Sequence, residues 1–305
     1  MMVSVPCNVN AARPISGAAP QLAGNISLVT GAGRGIGRAV ALALAQAGSD
    51  VALLARTVAE VSETGSLVES TGRKALALVA DVACHQDVER AVTATLERFG
   101  HIDVLVNCAG RQAPIGPAWE NDPADWAQTV AVNLQGTFHC IRAVAPHMVA
   151  RRRGKIVNFS GGGATSPRPN FSAYAVSKAA VVRLTETLAE ELRPYNVQVN
   201  AVAPGAVNTR MLEEVLAAGS AAGREWAEAQ ARKSAGGTSP ELAARLVVFL
   251  ASDASDGLTG KLISAPHDPW QTWTAKELAD LSSSPWFTLR RIDPHTLRPL
   301  APQLR

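Results

Sequence analysis

The chain has 305 residues, of which 47% are hydrophobic and 18% are charged, and its net charge is +3 at pH 7. A chain of this length and apolar content can bury one sizeable core as a single domain. Its positive charge is small and dispersed, which argues against a nucleic-acid partner. No apolar run is long enough to span a bilayer, so we expect no membrane partner.

The cysteines and the N-terminus indicate where the protein resides. Cys7, Cys84, Cys108 and Cys140 have neither metal-site nor redox-site spacing, so we expect no bound metal. The N-terminus lacks the charged-then-apolar pattern of a secretory signal. We therefore expect a cytoplasmic protein, with residues 1–22 forming a flexible leader.

The first predicted element is a strand that runs straight into a glycine-rich turn, Ser27-Leu-Val-Thr-Gly-Ala-Gly-Arg-Gly-Ile-Gly37. An Ala- and Leu-rich helix is predicted directly after it, over Arg38–Ala47. Gly31 permits a tight turn, Gly35 lets a pyrophosphate approach the backbone, and Gly37 permits close helix–strand packing. The N-terminus of the helix then offers N–H groups and a positive dipole end to phosphate. This context of strand, turn and helix predicts a dinucleotide site.

The end of the second predicted strand, Asp50–Ala55, bears on the choice of cofactor. A carboxylate at this point would accept hydrogen bonds from the ribose 2′-OH of NAD. The chain instead continues with Arg56 and Thr57, and Arg34 lies inside the glycine turn. Two guanidinium groups suit a 2′-phosphate, so NADP(H) is preferred and NAD(H) is possible. The alternative is that both arginines are solvated surface residues.

Further apolar runs alternate with helical ones along the chain. The other predicted strands are Ala75–Ala80, Val104–Asn107, Lys155–Phe159, Gln198–Ala203 and Lys261–Ser264, and predicted helices include Val58–Thr71, Gln86–Phe99 and Trp126–Ala150. Continuous apolar strands separated by helices predict an α/β fold whose parallel sheet is covered on both faces. Residues 206–240 interrupt this alternation with an Ala-, Gly- and Glu-rich, helix-prone insertion.

Tyr174 and Lys178 lie about one helical turn apart, next to a predicted helix over Ala179–Leu192. A phenol is a poor acid or base at neutral pH, because its pKa is about 10. An ammonium group beside it favours the phenolate and lowers that pKa. The pair therefore indicates a tyrosine adapted for proton transfer.

Together these motifs resemble the classical short-chain dehydrogenase/reductase family. The glycine pattern of that family stands as Thr30-Gly31-Ala-Gly-Arg-Gly35-Ile-Gly37, and four further motifs follow in the family's order, from about residue 22 to residue 265. These are Asn107-Cys-Ala109-Gly110, Asn133, Tyr174 with Lys178, and Pro204-Gly205 with Val207 and Thr209. The resemblance implies a Rossmann-type, doubly wound parallel sheet of seven strands with helices on both faces. It places a single domain at 23–265, with 206–240 as a substrate lid, and a C-terminal extension at 266–305.

The resemblance also implies roles for individual residues. Tyr174 would exchange the proton with a carbonyl or alcohol substrate, Lys178 would support it and hold the nicotinamide ribose, and Asn133 would place a water in the proton relay. The expected cofactor-binding residues are Gly31, Arg34, Gly35, Ile36, Gly37, Arg56, Thr57, Asp81, Val82, Asn107, Ala109, Gly110, Tyr174, Lys178, Pro204, Gly205, Val207 and Thr209. The family relation further implies a homodimer or homotetramer.

The sequence departs from the family at the catalytic serine, which usually lies 13 residues before the tyrosine, where this chain has Gly161. An insertion of one residue in the following loop would restore Ser160 to the role, and Ser160 is our candidate. Otherwise the hydroxyl is missing, and backbone N–H groups take its place. Thr165, Ser166 and Ser172 are further hydroxyl candidates, and the sequence does not decide among them.

A second departure is the C-terminal extension, which is rich in Trp and Arg. Trp270, Trp273, Trp286 and Phe287 carry more apolar area than a solvated tail usually does. We expect residues 266–305 to pack against folded protein, across a subunit interface or over the substrate pocket.

Two functions are consistent with these patterns. The first is an NADP(H)-linked oxidoreductase for a neutral or partly apolar carbonyl/alcohol pair. The second is a cofactor-binding sensor or scaffold with little or no turnover, which only Gly161 favours. The identity of the substrate cannot be read from the sequence.

Overall fold

The predicted apolar runs form one parallel sheet in this computed structural model, which describes residues 21–292. Seven strands are present in that range: β1 (Ile26–Thr30), β2 (Asp50–Ala55), β3 (Ala75–Val79), β4 (Val104–Asn107), β5 (Gly154–Phe159), β6 (Val197–Ala203) and β7 (Leu262–Ser264). Their order is β3-β2-β1-β4-β5-β6-β7, and every neighbouring pair is parallel. The order reverses direction between β1 and β4, which confirms the doubly wound, Rossmann-type topology.

Helices connect the strands and cover both faces of the sheet. Those described are α1 (Gly35–Gln46), α2 (Val58–Glu69), α3 (His85–Phe99), α4 (Pro123–Val130), α5 (Gly136–Arg151), α6 (Ser172–Leu192), α7 (Arg210–Ala218), α8 (Arg224–Ala235), α9 (Pro240–Ala251) and α10 (Ala275–Ser283). Alternate strand residues point to opposite faces. Val29 packs with α1, α2 and α9 on one face, and Leu28 packs with α3, α5 and α6 on the other.

The prediction of one continuous helix over Trp126–Ala150 is wrong, because this segment is divided into three parts. Between α4 and α5 lies a π-helical turn, Ala131–Gln135. Two contacts hold this turn. The side chain of Asn133 bonds to the backbone of Arg111, and Gly136 lies so close to Val82 that a Cβ atom would meet it at 2.7 Å. Such tertiary contacts cannot be read from helix propensity.

Residues 1–20 of the predicted leader and residues 293–305 of the predicted C-terminal extension lie outside the described residues. Leu22, assigned to the leader, is buried in the core beside α1, so the folded domain begins before residue 23. No helix among residues 21–292 is both long and apolar enough to cross a membrane. The same range contains no cluster of three or more His, Cys, Asp or Glu residues that could hold a metal ion.

The described part of the C-terminal extension packs against its own chain. Trp270 is 6% exposed, lies 5.9 Å from the ring of Phe249 on α9, and donates its indole N–H to the Ala265 carbonyl at 3.1 Å. The backbone N–H of Leu262 on β7 donates to the carbonyl of Phe287 at 2.8 Å. Residues 266–292 therefore cover the core beside α9 and the edge of β7. They do not line the cavity at the carboxyl ends of the central strands, although one form of our expectation places them over the substrate pocket.

Candidate active site

A cavity of about 670 Å³ opens at the carboxyl ends of β1 and β4, where the strand order reverses. Ligands bind at this point in open α/β sheets because the two adjacent connections diverge there. Most of the predicted cofactor residues line it together: Gly31, Arg34, Gly35, Ile36, Gly37, Arg56, Thr57, Asp81, Val82, Ala109, Gly110, Tyr174, Lys178, Pro204 and Thr209. The structure thus brings residues from six separate segments to one place.

The glycine turn forms the floor of this cavity. A Cβ atom on Gly37 would overlap the carbonyl oxygen of Gly31, so α1 begins in direct backbone contact with the turn. No side chain hydrogen-bonds to the start of α1 among the described residues. Its first N–H groups therefore remain available to an anionic ligand, and the helix dipole favours one.

Charged side chains surround the end of the cavity near β2. Arg34 donates to Glu60 on α2 at 2.9 Å, and both are partly exposed. Arg56 is 66% exposed, and its guanidinium lies 3.9 Å from the carboxylate of Asp81. Glu60 was not among the predicted residues. Glu60 lies in the first turn of α2, five residues after the end of β2. The packing of α2 beside the glycine turn, which the sequence does not show, brings it to the cavity.

Tyr174 and Lys178 lie in the first two turns of α6, on its buried face. The Lys178 ammonium donates to the Phe159 carbonyl at 2.7 Å and lies 5.7 Å from the centre of the Tyr174 ring. Burial lowers the pKa of Lys178 to about 8. Burial also raises the pKa of Tyr174, and the Arg168 guanidinium is the cation that opposes this rise. In the described structure the phenol is therefore held protonated at neutral pH, contrary to the simple expectation from the Tyr–Lys pair.

Position 161 has no room for a side chain. A Cβ atom on Gly161 would overlap the hydroxyl oxygen of Tyr174. Ser160 is buried, lines the same cavity as Tyr174 and Lys178, and its hydroxyl has no hydrogen-bond partner among the described residues. Of the other candidates, Thr165 and Ser166 are exposed, and the Ser172 hydroxyl accepts from Trp126 at 3.0 Å.

Asn133 is fully buried, and its side chain makes three hydrogen bonds. Its amide oxygen accepts from the Arg111 N–H at 2.9 Å, and its amide nitrogen donates to the Arg111 carbonyl and to Ser177, each at 2.9 Å. The Ser177 hydroxyl in turn donates to the Tyr174 carbonyl at 2.8 Å. The side chain of Asn133 therefore joins the loop after β4 to the start of α6, and its amide oxygen retains a second lone pair that could accept from a water.

Three predicted cofactor residues lie outside the lining of the cavity. Asn107 donates to Asn158 at 2.9 Å and joins β4 to β5, while Gly205 and Val207 form the turn that leads to the lid. The lid itself supplies lining residues that sequence reasoning did not identify, among them Arg210, Met211, Leu212, Glu213, Glu214, Leu216 and Lys233. For those on α7, the signal in the sequence is the amphipathic pattern of that helix, and Lys233 on α8 has no such signal.

A doubly wound sheet, a glycine turn at its switch point and a buried Tyr–Lys pair facing the same cavity define a dinucleotide-dependent oxidoreductase. The chain belongs to the short chain dehydrogenase family, whose model matches residues 25–219. Enzymes of this family act on alcohol/carbonyl pairs with NAD(P).

Relatives and solved structures agree with this assignment. The short-chain reductase protein NovJ of Streptomyces niveus is 40% identical over 245 residues, covering 78% of this chain and 91% of that protein. NAD+-bound xylitol dehydrogenase matches with a TM-score of 0.76 at 31% identity, covering 80% of this chain and 98% of its own. Gluconate 5-dehydrogenase from Burkholderia cenocepacia, in complex with NADP and tartrate, matches with a TM-score of 0.72 at 33% identity, covering 81% and 95%.

Proposed function

We propose that this chain is an NADP(H)-dependent oxidoreductase that interconverts a carbonyl and an alcohol, with Tyr174 as the general acid/base. One observation carries the proposal: Tyr174, Lys178 and Ser160 line the cavity that the glycine turn also lines, and the Ser160 hydroxyl has no hydrogen-bond partner among the described residues. A proton donor and a hydroxyl are thus available beside a dinucleotide site.

The residues present fit the cofactor. The close contact of Gly37 with Gly31 leaves backbone, rather than side chains, facing the cavity, as a pyrophosphate requires. Arg34 and Arg56 would hold the 2′-phosphate of the adenosine, Asp81 and Val82 would contact the adenine, and Lys178 would hold the nicotinamide ribose. When bound, NADP(H) supplies or accepts the hydride. The preference for NADP(H) rests on the two arginines, although the carboxylates of Glu60 and Asp81 compete for them.

The protein's own groups would then manage the proton. In reduction, the Tyr174 hydroxyl donates to the substrate oxygen, and in oxidation the tyrosinate accepts the alcohol proton. The Ser160 hydroxyl, which is free in the structure, donates to the same oxygen and orients the substrate. Asn133 and Ser177 hold the start of α6 so that Tyr174 keeps its position. The lid residues Leu212 and Leu216 line the cavity, and Leu212 belongs to the same apolar cluster as Phe171 and Tyr174, which suits a neutral or partly apolar substrate.

The test has two stages. Titration with NADPH, followed by the fluorescence of the reduced nicotinamide, should show saturable binding, and a panel of carbonyl compounds should then give turnover. Tyr174→Phe should retain NADPH binding within a few-fold and lose turnover by about 10²–10⁴-fold, which is what a positioned acid contributes. Turnover by the variant near the wild-type rate would refute the role of Tyr174. Binding without turnover by the wild type on any carbonyl would favour a sensor.

A further inference from the structure

A salt bridge between the loop after β5 and the lid lies against Tyr174. Arg168 belongs to the loop between β5 and α6, and Glu225 lies in the first turn of α8. The Arg168 Nε and Nη2 atoms each donate to one oxygen of the Glu225 carboxylate at 2.6 Å. The two side chains are 17% and 21% exposed. This bidentate geometry in a mostly desolvated place is the arrangement in which an ion pair is strong.

The guanidinium of Arg168 lies between two aromatic rings. Its Cζ atom is 3.9 Å from the centre of the Phe171 ring and 5.1 Å from the centre of the Tyr174 ring. Arg168 is therefore closer to the Tyr174 ring than is Lys178, whose ammonium lies 5.7 Å from it. Phe171 is fully buried, so Arg168 is held against a rigid surface.

Four ionisable groups face Tyr174 from the elements packed around it: Arg168 on the loop, Glu225 on α8, Lys178 on α6 and Cys108 at the end of β4. Cys108 is neutral at physiological pH, because burial raises the pKa of its thiol to about 12. Burial is the largest influence and raises the pKa of Tyr174, Arg168 lowers it, and Cys108 and then Glu225 raise it. Because Cys108 is neutral at physiological pH, Arg168 and Glu225 are the charged pair that acts on the phenol there.

We propose that Arg168 is a positioning residue for the reaction proposed above, and that the Arg168–Glu225 pair sets how readily Tyr174 exchanges its proton. The inference rests on the proposed role of Tyr174 as the acid/base. Because Glu225 is on the lid and Arg168 is not, the balance of charge beside the phenol depends on the position of α8. A lid that moves away removes the carboxylate and leaves the guanidinium, which favours the tyrosinate.

The two partners of the pair should act in opposite directions. Arg168→Gln leaves the Glu225 carboxylate near the phenol, which disfavours the tyrosinate. Glu225→Gln leaves the Arg168 charge uncompensated, which favours the tyrosinate. If the pair served only to fasten the lid, both substitutions would break the same bond and would act alike. The sign of the effect therefore separates an electrostatic role from a structural one.

The chain has two tyrosines, so Tyr174 can be observed directly. Tyr195, the other one, is 40% exposed and distant in sequence, and Tyr195→Phe leaves Tyr174 as the sole tyrosine. In this background the near-ultraviolet absorbance of tyrosinate is measured against pH without cofactor or substrate, with circular dichroism at each pH to establish that the protein is folded. Tyr174→Phe in the same background provides the blank.

At the highest pH at which all variants remain folded, we expect more tyrosinate in Glu225→Gln and less in Arg168→Gln than in the parent. Each difference should be about threefold or more, since a unit charge a few ångströms away acts strongly in a partly buried site. Arg168→Lys, which retains the charge, should stay near the parent, and the double variant Arg168→Gln/Glu225→Gln should lie between the single ones. Arg142→Gln, which breaks the exposed Arg142–Glu89 pair on α5 and α3, is the matched control and should cause no change.

The same order should appear in the pH dependence of kcat/KM for alcohol oxidation, whose rising limb should move to lower pH in Glu225→Gln and to higher pH in Arg168→Gln. Equal tyrosinate in all variants, or shifts of the same sign, would overturn the proposal. The absorbance measurement needs no turnover. If the titration follows the expected order while Tyr174→Phe remains active, the electrostatic inference stands and the proposed function fails.

Discussion

The contact between Tyr174 and the backbone at Gly161 determines which hydroxyl is available at the end of β5. A serine side chain at position 161 would overlap the phenol, whereas Ser160 is accommodated and its hydroxyl is free. If Ser160 takes the role of the family's serine, its distance in sequence from Tyr174 is a residue longer than in the family pattern, and the glycines at 161–163 could take up the extra residue.

If Ser160 orients the substrate oxygen, Ser160→Ala should lower kcat by about a hundredfold, the usual cost of removing one positioned donor. NADPH affinity should change little, because the hydroxyl is directed at the substrate. Thr165→Ala, on the exposed part of the same loop, is the control and should be silent. A loss below about threefold in Ser160→Ala would mean that backbone donors alone orient the substrate.

Arg56 provides a test of cofactor choice. We expect Arg56→Asp to shift the ratio of kcat/KM from NADPH towards NADH by about a hundredfold, since a carboxylate repels the 2′-phosphate and accepts from a free 2′-OH. Arg73→Gln, which breaks an ion pair with Asp50 near the opposite end of β2, is the matched control. A ratio that stays constant in Arg56→Asp would show that this exposed guanidinium does not reach the cofactor.

Lys178 should make cofactor binding sensitive to pH. Its pKa is lowered to about 8 by burial, so the ammonium is present below that pH and is lost as pH rises through it. The dissociation constant for NADPH should therefore increase between about pH 7 and pH 9. Lys178→Met has no charge to lose at this position. Its dissociation constant for NADPH should already be high at pH 7 and should not vary between about pH 7 and pH 9. A wild-type constant independent of pH would contradict the assignment.

At the scale of elements, the turn between β1 and α1 is the tightest junction near the site. Gly37→Ala would force α1 away from the backbone of Gly31. We expect at least a tenfold weaker affinity for NADPH and a lower free energy of unfolding, by about 1–3 kcal/mol, as overpacked sites show. Calorimetry and fluorescence titration measure the two effects.

Gly65→Ala is the control for that substitution, because Gly65 lies within α2 and a Cβ atom there would make only ordinary contacts, at 3.8 Å or more. Gly65→Ala should be neutral or slightly stabilising, because alanine has a higher helix propensity than glycine. Normal cofactor affinity in Gly37→Ala would show that the turn can relax without cost.

The same elements show what the sequence can and cannot predict. The strands were predictable to within a residue or so, because buried parallel strands are continuous apolar runs bounded by turn residues. The starts of α1 at Gly35 and of α6 at Ser172 were not predictable from the sequence. Glycine and serine have low helix propensity, and the helices extend to them only because of tertiary contacts. The glycine turn and the Tyr–Lys pair were recognisable because their chemistry is local. Glu60, Arg168 and Glu225 were missed because each acquires its role only across the fold.

At the scale of the whole molecule, residues 266–292 of the C-terminal extension belong to the folded domain. Lys261 lies directly before β7, and its ammonium donates to the Ser284 and Trp286 carbonyls at 2.6 and 3.3 Å. The backbone N–H of Leu289 donates to the Glu186 carboxylate on α6 at 2.6 Å. The extension is thus attached to both β7 and α6, in addition to the burial of Trp270 beside α9.

We expect Trp270→Ala to lower the free energy of unfolding by about 3–5 kcal/mol, as large-to-small core substitutions do, and the melting temperature by roughly 10 °C. KM should stay within about twofold, because the extension does not line the cavity in the described part of the chain. Trp119→Ala is the matched control, since Trp119 is 85% exposed. An unchanged melting temperature in Trp270→Ala would show that the extension is dispensable for stability.

The position of Trp270 also has a consequence for biosynthesis. The core cluster that it completes contains Val29 and Val40, from the beginning of the domain, and Ile263 on β7, from its end. A ribosome delivers the N-terminal residues first, yet the part of α9 that Trp270 covers, beside Phe249, stays uncovered until the extension has left the exit tunnel. Nascent chains that stop before this segment would expose that surface to chaperones and proteases, so cells would be expected to accumulate only full-length copies.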